Sequence, residues 1–428
     1  MTPSPSPEGN TCSHAPKIGI PDVRVILDNY GSPNSSSIPS LEDASFHTLL
    51  IPENPNPDAR AGREVSIALL HHETTLALRS ENIVTTSTLT SCTSRYHISD
   101  AGEAGLGVFA TVAFERGERI IHERPLIVYP QLLPFHSGRP VGQQYPELGR
   151  AIERMPQENR DAFFDLMNAQ AGEPSLVKGI IDTNALFVGP LPRAPYHYAA
   201  VCKDISRINH SCSPNAAYHF DVHTFAFDVR ALFPISAGEQ IFISYIDPAL
   251  PRTARQDALS SYAFTCACSA CSLTGPALTQ SETRRALIAR ADAAHNARDA
   301  ALAPWARTPP ESMPDSDDYT SISTVDKMYM DLFEKEGLYY EPVWEGYAAR
   351  LCKAACVLED GEGARRWAEL AAALSRAYTG SDRGWDEVAA APERTDWWGV
   401  RARQGKHEFV PGVGSMLSTA TISDLEAP

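Results

Sequence analysis

The sequence predicts an α+β chain on three observations. Between Tyr96 and about residue 250, short apolar runs alternate with turn residues, as the strands of a β-rich core do. A stretch at about 131–180 carries apolar residues at helical spacing, and from about Ala277 the composition turns Ala-rich and helical. The opening residues stand apart from all three. Segments such as TPSPSPEGN, YGSPNSSSIPS and IPENPNPDAR bury too little apolar surface to offset the entropy of ordering, so 1–63 is expected to be a disordered tail.

Length and charge narrow the functional classes. At 428 residues, and about 150 per domain, the chain has room for two or three structural units with a packed core. Its 53 Asp+Glu outnumber 37 Lys+Arg, for a formal charge of −16. That argues against a general DNA or RNA coater, because phosphate neutralisation needs a basic face. It suits basic partners such as Lys/Arg-rich protein tails. Nothing near Met1 reads as a signal peptide, and no run of about 18 apolar residues would span a membrane. The expectation is a protein of the nucleus or cytoplasm, neither secreted nor membrane-bound. Nine cysteines, an odd number, then favour free thiols or a metal site over a disulfide framework.

The elements follow in order. Residues 64–95 mix apolar and Thr/Ser positions and can add a strand or a short helix. AGLGVFATVAF and RIIHERPLIVYP read as strands, with ERG as the turn between them. QYPELGRAIERMPQENRDAFFDLMNAQ reads as helix interrupted by Pro156 and forms the helical insert. ALFVGPL, AAYHF, TFAFDVRALFPI and QIFISY return to strand, with FDVH and SAGE as turns. The β-rich domain is therefore placed at 96–250 and a cysteine-bearing segment at 251–275. A helical region at 277–400, with an acidic gap near 303–322, precedes a loose tail at 401–428.

Three segments concentrate chemistry. GEAGLGVFA sets Gly105 and Gly107 around Leu106 before a strand, where missing Cβ atoms let a ligand or another backbone come close. Alone it reads as a turn, and it lacks the third Gly and following helix of a dinucleotide fingerprint. RINHSCSPNA packs Asn209, His210, Ser211, Cys212, Ser213 and Asn215 between apolar stretches. Such polar density costs free energy unless the groups are hydrogen-bonded or bound to something. GEQIFISYIDP ends a strand at Ser244 and Tyr245, with Asp247 beyond. Downstream, YAFTCACSACSL brings Cys266, Cys268 and Cys271 within six positions. Thiolates at that density suit tetrahedral Zn, which needs a fourth ligand; Cys212 is the best candidate, and reactive or redox thiols are the alternative. Cys352 and Cys356, on a predicted helix, read as small core hydrophobes, and His219 and His223 as ordinary strand and turn residues.

In this order, Gly-Leu-Gly, Asn-His-Ser-Cys-x-Pro-Asn, Gly-Glu-x-x-x-x-Ser-Tyr and Cys-x-Cys-x-x-Cys together resemble a SET-domain protein-lysine methyltransferase. The likeness is nearest to the SET-and-MYND group and its fungal relatives, and covers roughly Tyr96 to Leu273. One departure is that no MYND cluster of Cys and His occurs within 123–180. The resemblance implies a β-rich SET fold with its NHSC segment threaded through a loop of neighbouring backbone, a post-SET zinc cluster and a C-terminal helical region. It implies S-adenosyl-L-methionine as cofactor, with Gly105, Leu106 and Gly107 against it through backbone contacts. Asn209 and His210 would hold its amino-acid and adenosine parts, Asn184 would add a contact, and Phe264 would stack on the adenine. Tyr245 would be the catalytic tyrosine beside the transferring methyl and Tyr262 a wall of the lysine channel. Cys212, Cys266, Cys268 and Cys271 would hold Zn.

The chemistry asks for these residue types. Methyl transfer from a sulfonium to an amine is an in-line displacement that needs a neutral, aligned lysine and no water. An apolar, aromatic-walled channel disfavours the ammonium form, and aromatic faces tolerate the methylated cation. A tyrosine hydroxyl and backbone carbonyls can meet the polarised methyl through C–H···O contacts. The plainer readings are a satisfied core tyrosine at 245, a histidine pinning a polar turn at 210, and core aromatics at 262 and 264. The expected partner is a protein substrate with an accessible lysine in a basic segment, without nucleic acid or membrane. The rival is a catalytically weak or inactive SET-fold interaction protein acting through its C-terminal helices.

Overall fold

The structure, a computed structural model, describes residues 18–20, 45–53, 65–83, 89, 93–195, 197–291, 295–308 and 320–404. In chain order, β1 (Phe46–Ile51), β2 (Ser66–His71) and α1 (His72–Ser80) precede β3 (Tyr96–Asp100), β4 (Leu106–Ala110), β5 (Arg119–Glu123) and β6 (Ile127–Pro130). The insert supplies α2 (Pro146–Glu153), α3 (Gln157–Phe164) and α4 (Leu176–Asn184). After it come β7 (Leu186–Gly189), β8 (Tyr198–Val201), β9 (Asn209–His210), β10 (Ala216–Asp221), β11 (Ala226–Ala231) and β12 (Phe242–Ile243). The remainder is helical: α5 (Arg252–Leu259), α6 (Gly275–Ile288), α7 (His295–Arg307) and α8 (Thr320–Glu336), then α9 (Trp344–Val357), α10 (Gly361–Thr379), α11 (Trp385–Ala390) and α12 (Val400–Gln404).

A five-stranded sheet runs β1-β2-β6-β8-β7. Strand β2 reads SIALLH, apolar almost throughout, because both faces of the sheet are covered. Ile67 and Leu69 pack on the insert helices, whereas Ala68 and Leu70 point into the β core. RIIHERPLIVYP divides into β5 and β6, which join different sheets. Pro125 stands at the break and has no N–H to continue the first ladder. Leu126 then donates its N–H to the Val201 carbonyl at 2.7 Å and opens the second.

The second sheet, β10-β11-β5, has two unlike faces. Ile121, Phe227 and Val229 fill the β core. On the other face His219, Asp228 and His122 stand side by side across the three strands. Asp228 lies 2.6 Å from His122 Nδ1 and pairs with Arg119 and Arg230 at 2.8 and 3.2 Å. Burial opposes its ionisation, but the His122 hydrogen bond and the two guanidiniums hold its carboxyl at about 2. Helix α10 lies over this polar face. A Cβ on Gly380 would fall 2.2 Å from His219 Nε2, and one on Gly117 would fall 2.7 Å from the Ala373 carbonyl oxygen.

Two tail expectations change where residues are described. Most of 1–63 lies outside the described residues, but Phe46–Ile51 form strand β1, paired antiparallel with β2. Ile18 bridges to Thr395. The local run FHTLLI is apolar enough to complete a sheet edge, a signal that composition averaged over the whole segment hides. At the other end, residues 405–428 lie outside the described residues. Arg401, however, is buried and donates to the Trp305 carbonyl at 2.9 Å, so α12 docks on α7. Among the described residues no helix is long and apolar enough to cross a membrane.

Candidate active site and thiol cluster

The segment 203–215 is held at both ends. Upstream, the buried Glu123 carboxylate accepts the backbone N–H groups of Lys203, Asp204 and Ile205 at 2.8, 3.0 and 3.0 Å. Burial and the nearby Asp204 carboxylate push Glu123 up to about 7, against the pull of those donors. The turn Ile205–Arg207 leads into β9, which pairs parallel with β12. Downstream, Asn215 Oδ1 accepts the Phe242 N–H at 2.7 Å while its Nδ2 donates to the Gln240 carbonyl at 2.9 Å. Asn215 thus fastens this strap to β12, just ahead of Tyr245.

The Gly-Leu-Gly loop meets the strap directly. Gly105 has φ +73°, a left-handed conformation that glycine adopts without Cβ strain. Leu106 is 45% exposed, and its carbonyl accepts from Asn209 Nδ2 at 3.1 Å. Gly107 is closely approached by side chains: a Cβ there would lie 2.3 Å from Gln240 Nε2 and 3.1 Å from Asn209 Nδ2, so the Gln240 amide would have to move aside.

His210 Nδ1 accepts the Tyr245 N–H at 3.1 Å, and its Nε2 lies 3.3 Å from Cys212 Sγ. Burial pushes the ring down to about 4, so it is neutral near pH 7. An accepting Nδ1 leaves the proton on Nε2, facing the sulfur. Both ring nitrogens are therefore engaged inside the protein, which leaves the His210 backbone to meet any ligand.

Tyr245 donates its hydroxyl to the Ile208 carbonyl at 2.6 Å, and burial pushes that hydroxyl's pKa up. Its ring centroid lies 5.0 Å from Tyr262 and 5.3 Å from His210, and Phe264 lies 6.3 Å from His210. Ala263, at φ +59°, makes the left-handed turn between Tyr262 and Phe264. Phe264 is 39% exposed, an aromatic face left open to solvent.

Tyr245 and Tyr262 wall a narrow cavity of about 60 Å³ with Thr183, Ser206, Ile208 and Tyr218. Asn184 borders the same cavity, yet its Nδ2 already donates to the Met167 and Ile180 carbonyls, each at 2.7 Å. The wall residues Thr183, Ser206, Tyr218 and Ile208 had no sequence signal. The Ile208 carbonyl is a backbone atom, and Thr183, Ser206 and Tyr218 look like ordinary helix, turn and strand residues.

Cys212, Cys266, Cys268 and Cys271 come together with their sulfurs all within 4.8 Å of one another. Cys212 Sγ lies 4.0 Å from Cys266 Sγ and 3.6 Å from Cys271 Sγ. Tetrahedral Zn with bonds of about 2.3 Å would set sulfurs about 3.8 Å apart, so the quartet fits that ion. Hydrogen bonding to the other three sulfurs pushes the Cys212 thiol up, as expected where four thiolates cannot coexist without a cation. Cys352 and Cys356 are buried in the C-terminal helical core.

Comparison with known proteins gives these features a setting. Residues 105–246 match the SET domain family. Histone-lysine N-methyltransferase set5 of Schizosaccharomyces pombe is 29% identical over 182 residues, 42% of this chain and 51% of that protein. N-lysine methyltransferase SMYD2-A of Xenopus laevis is 44% identical over 75 residues, 17% of each chain. Human N-lysine methyltransferase SMYD2 is 43% identical over 74 residues, again 17% of each. The chain thus matches about half the length of the first relative and under a fifth of the others. The solved structure of the Neurospora SET domain protein DIM-5, a histone lysine methyltransferase, is matched at TM-score 0.19 and 17% identity, over 35% of this chain and 52% of that one. At that score it adds no weight to the sequence matches.

Proposed function

We propose, from the SET domain at residues 105–246, that this protein is an S-adenosyl-L-methionine-dependent protein-lysine N-methyltransferase. The observation that carries the reading is the cavity bordered by Tyr218, Tyr245 and Tyr262, in a chain that also exposes Leu106 and Phe264 and ties Asn209 to the Leu106 carbonyl. Its named relatives include a histone-lysine and an N-lysine methyltransferase. When bound, S-adenosylmethionine supplies a methyl group on a sulfonium.

In this reading Gly105, Leu106, Gly107, Asn209 and the His210 backbone line the cofactor's amino-acid and adenosine parts, and Phe264 offers a face to its adenine. Asn184 acts as a positioning residue, because its amide braces α4 rather than pointing a free donor outward. The substrate lysine enters between Tyr245 and Tyr262. Their rings disfavour an ammonium there, so the amine sheds its proton to solvent before transfer. The cavity excludes water and fixes the amine's approach, an alignment worth several kcal/mol, on the order of what orientation supplies elsewhere. The Tyr245 hydroxyl, held by Ile208, presents an oxygen to the reacting methyl. Cys212, Cys266, Cys268 and Cys271 would hold Zn, which would tie the segment that carries Tyr262 and Phe264 to the strap at Cys212.

The substrate is a protein with an accessible lysine. We assign that lysine to a basic segment because the formal charge of −16 attracts one. Purified protein incubated with labelled S-adenosylmethionine and basic protein substrates tests the reading, with transfer to lysine expected. Cofactor binding without transfer to any substrate would favour the rival, an interaction protein that keeps the scaffold.

A further inference from the structure

We propose that Arg255 is an outer-shell cation of the thiolate cluster, holding the Cys271 sulfur by an N–H···S hydrogen bond and so setting how tightly the metal is kept. The inference rests on the zinc reading of the quartet.

Arg255 sits on α5, and its side chain is 0% exposed, so its charge needs an anion close by. Its Nη2 lies 3.8 Å from Cys271 Sγ. Its Nη1 donates to the Leu250 carbonyl at 2.6 Å and lies 3.3 Å from Glu282 Oε1. Glu282 is a poor sole counter-ion. That pair is long, its side chain is 28% exposed, and its other oxygen accepts the Arg252 N–H at 2.8 Å. Four thiolates around a divalent ion carry a net charge of −2, and they adjoin the Arg255 guanidinium on the sulfur side. The sum of charges closes better with Arg255 counted as part of the cluster.

The neighbouring buried arginine makes the contrast. Arg285 pairs its Nε with Glu336 at 2.9 Å and spends its remaining donors on the Cys212 and Pro248 carbonyls and the Ser213 hydroxyl. It therefore braces the backbone of a ligand-bearing segment and gives no hydrogen bond to a sulfur. Arg255 alone of the two addresses one. A guanidinium donor draws charge from the thiolate and shields it from protons and electrophiles. Partners of metal ligands elsewhere change metal affinity by about 10–100-fold when removed.

The test uses the full chain loaded with zinc, and follows metal transfer to a chromogenic chelator. Arg255→Met keeps the bulk and removes the donor, and zinc loss should quicken by about 10–100-fold. In the cobalt(II)-substituted protein the sulfur-to-cobalt charge-transfer band should also shift, which a purely structural arginine would not cause. Should Arg255→Met fail to fold, Arg255→Lys keeps the charge but cannot reach all three partners, and it should release zinc faster than the parent. Release at the parent rate with an unmoved cobalt band, in either folded variant, would overturn the proposal. Parent protein that contains no zinc and takes up no cobalt would instead defeat the zinc reading itself.

Discussion

Removing one oxygen from Tyr245 separates its two roles. In Tyr245→Phe the ring keeps its neighbours, since Tyr262 and His210 lie 5.0 and 5.3 Å from it and touch the ring rather than the hydroxyl. The Ile208 carbonyl, which accepts that hydroxyl at 2.6 Å beside a cavity of about 60 Å³, loses its donor. A buried acceptor left unpaired costs about 1–3 kcal/mol, and denaturant unfolding should read a loss in that range. Turnover should suffer more. One C–H···O contact is worth about 0.5–1 kcal/mol, or roughly 2–5-fold in rate. A wall free to shift by an ångström adds up to about 100-fold. The expected result is a 10–100-fold fall in single-turnover methyl transfer with labelled cofactor. Calorimetric cofactor binding should stay within a few-fold of the parent, because Leu106, Asn209 and Phe264 are untouched. Full turnover in a folded variant would refute the argument, and so would lost cofactor binding with transfer unimpaired at saturation.

Two further outcomes follow from other parts of the molecule. Metal analysis should find about one Zn per chain, and Cys268→Ser should release it and cost several kcal/mol of stability, since structural zinc supplies on the order of 10 kcal/mol in small modules; unchanged stability without zinc would exclude a structural site. Asp228, held at about 2 instead of 3.8, favours the folded state only when ionised, so its contribution is complete above pH 3.8 and disappears as the pH falls toward 2. That contribution is about 2 kcal/mol, and acid unfolding should show its loss in the parent but not in Asp228→Asn; identical slopes in that window would remove Asp228 from the account.

Short-range patterns made part of this legible in advance. Three cysteines within six positions cannot all be core thiols, and the structure brings Cys212 to them from 54 residues away. Strand β2 was readable only as an apolar mixture, because burial on both faces removes the alternation that marks a strand. The Asp228 column was invisible for a related reason. Asp228, His122 and His219 look like solvent-facing strand residues until α10 covers them. Glu123 gives no sign that it gathers three backbone donors 80 residues downstream, since those donors are main-chain atoms that every sequence has. Gly107 was legible as a point of close approach, but its neighbour proved to be the Gln240 side chain. The plain reading of His210, pinning a polar turn, describes its ring, whose nitrogens join the Tyr245 backbone to the Cys212 sulfur.

The central claim is methyl transfer to lysine at the Tyr245 cavity. Purified protein with methyl-labelled S-adenosylmethionine and fractionated cell extract, followed by mass-spectrometric site mapping, tests it most directly. The account predicts label on lysine side chains of discrete proteins, with transfer cut at least tenfold by Tyr245→Phe. A protein that binds the cofactor and labels no lysine, or one whose labelling is indifferent to Tyr245, would contradict it.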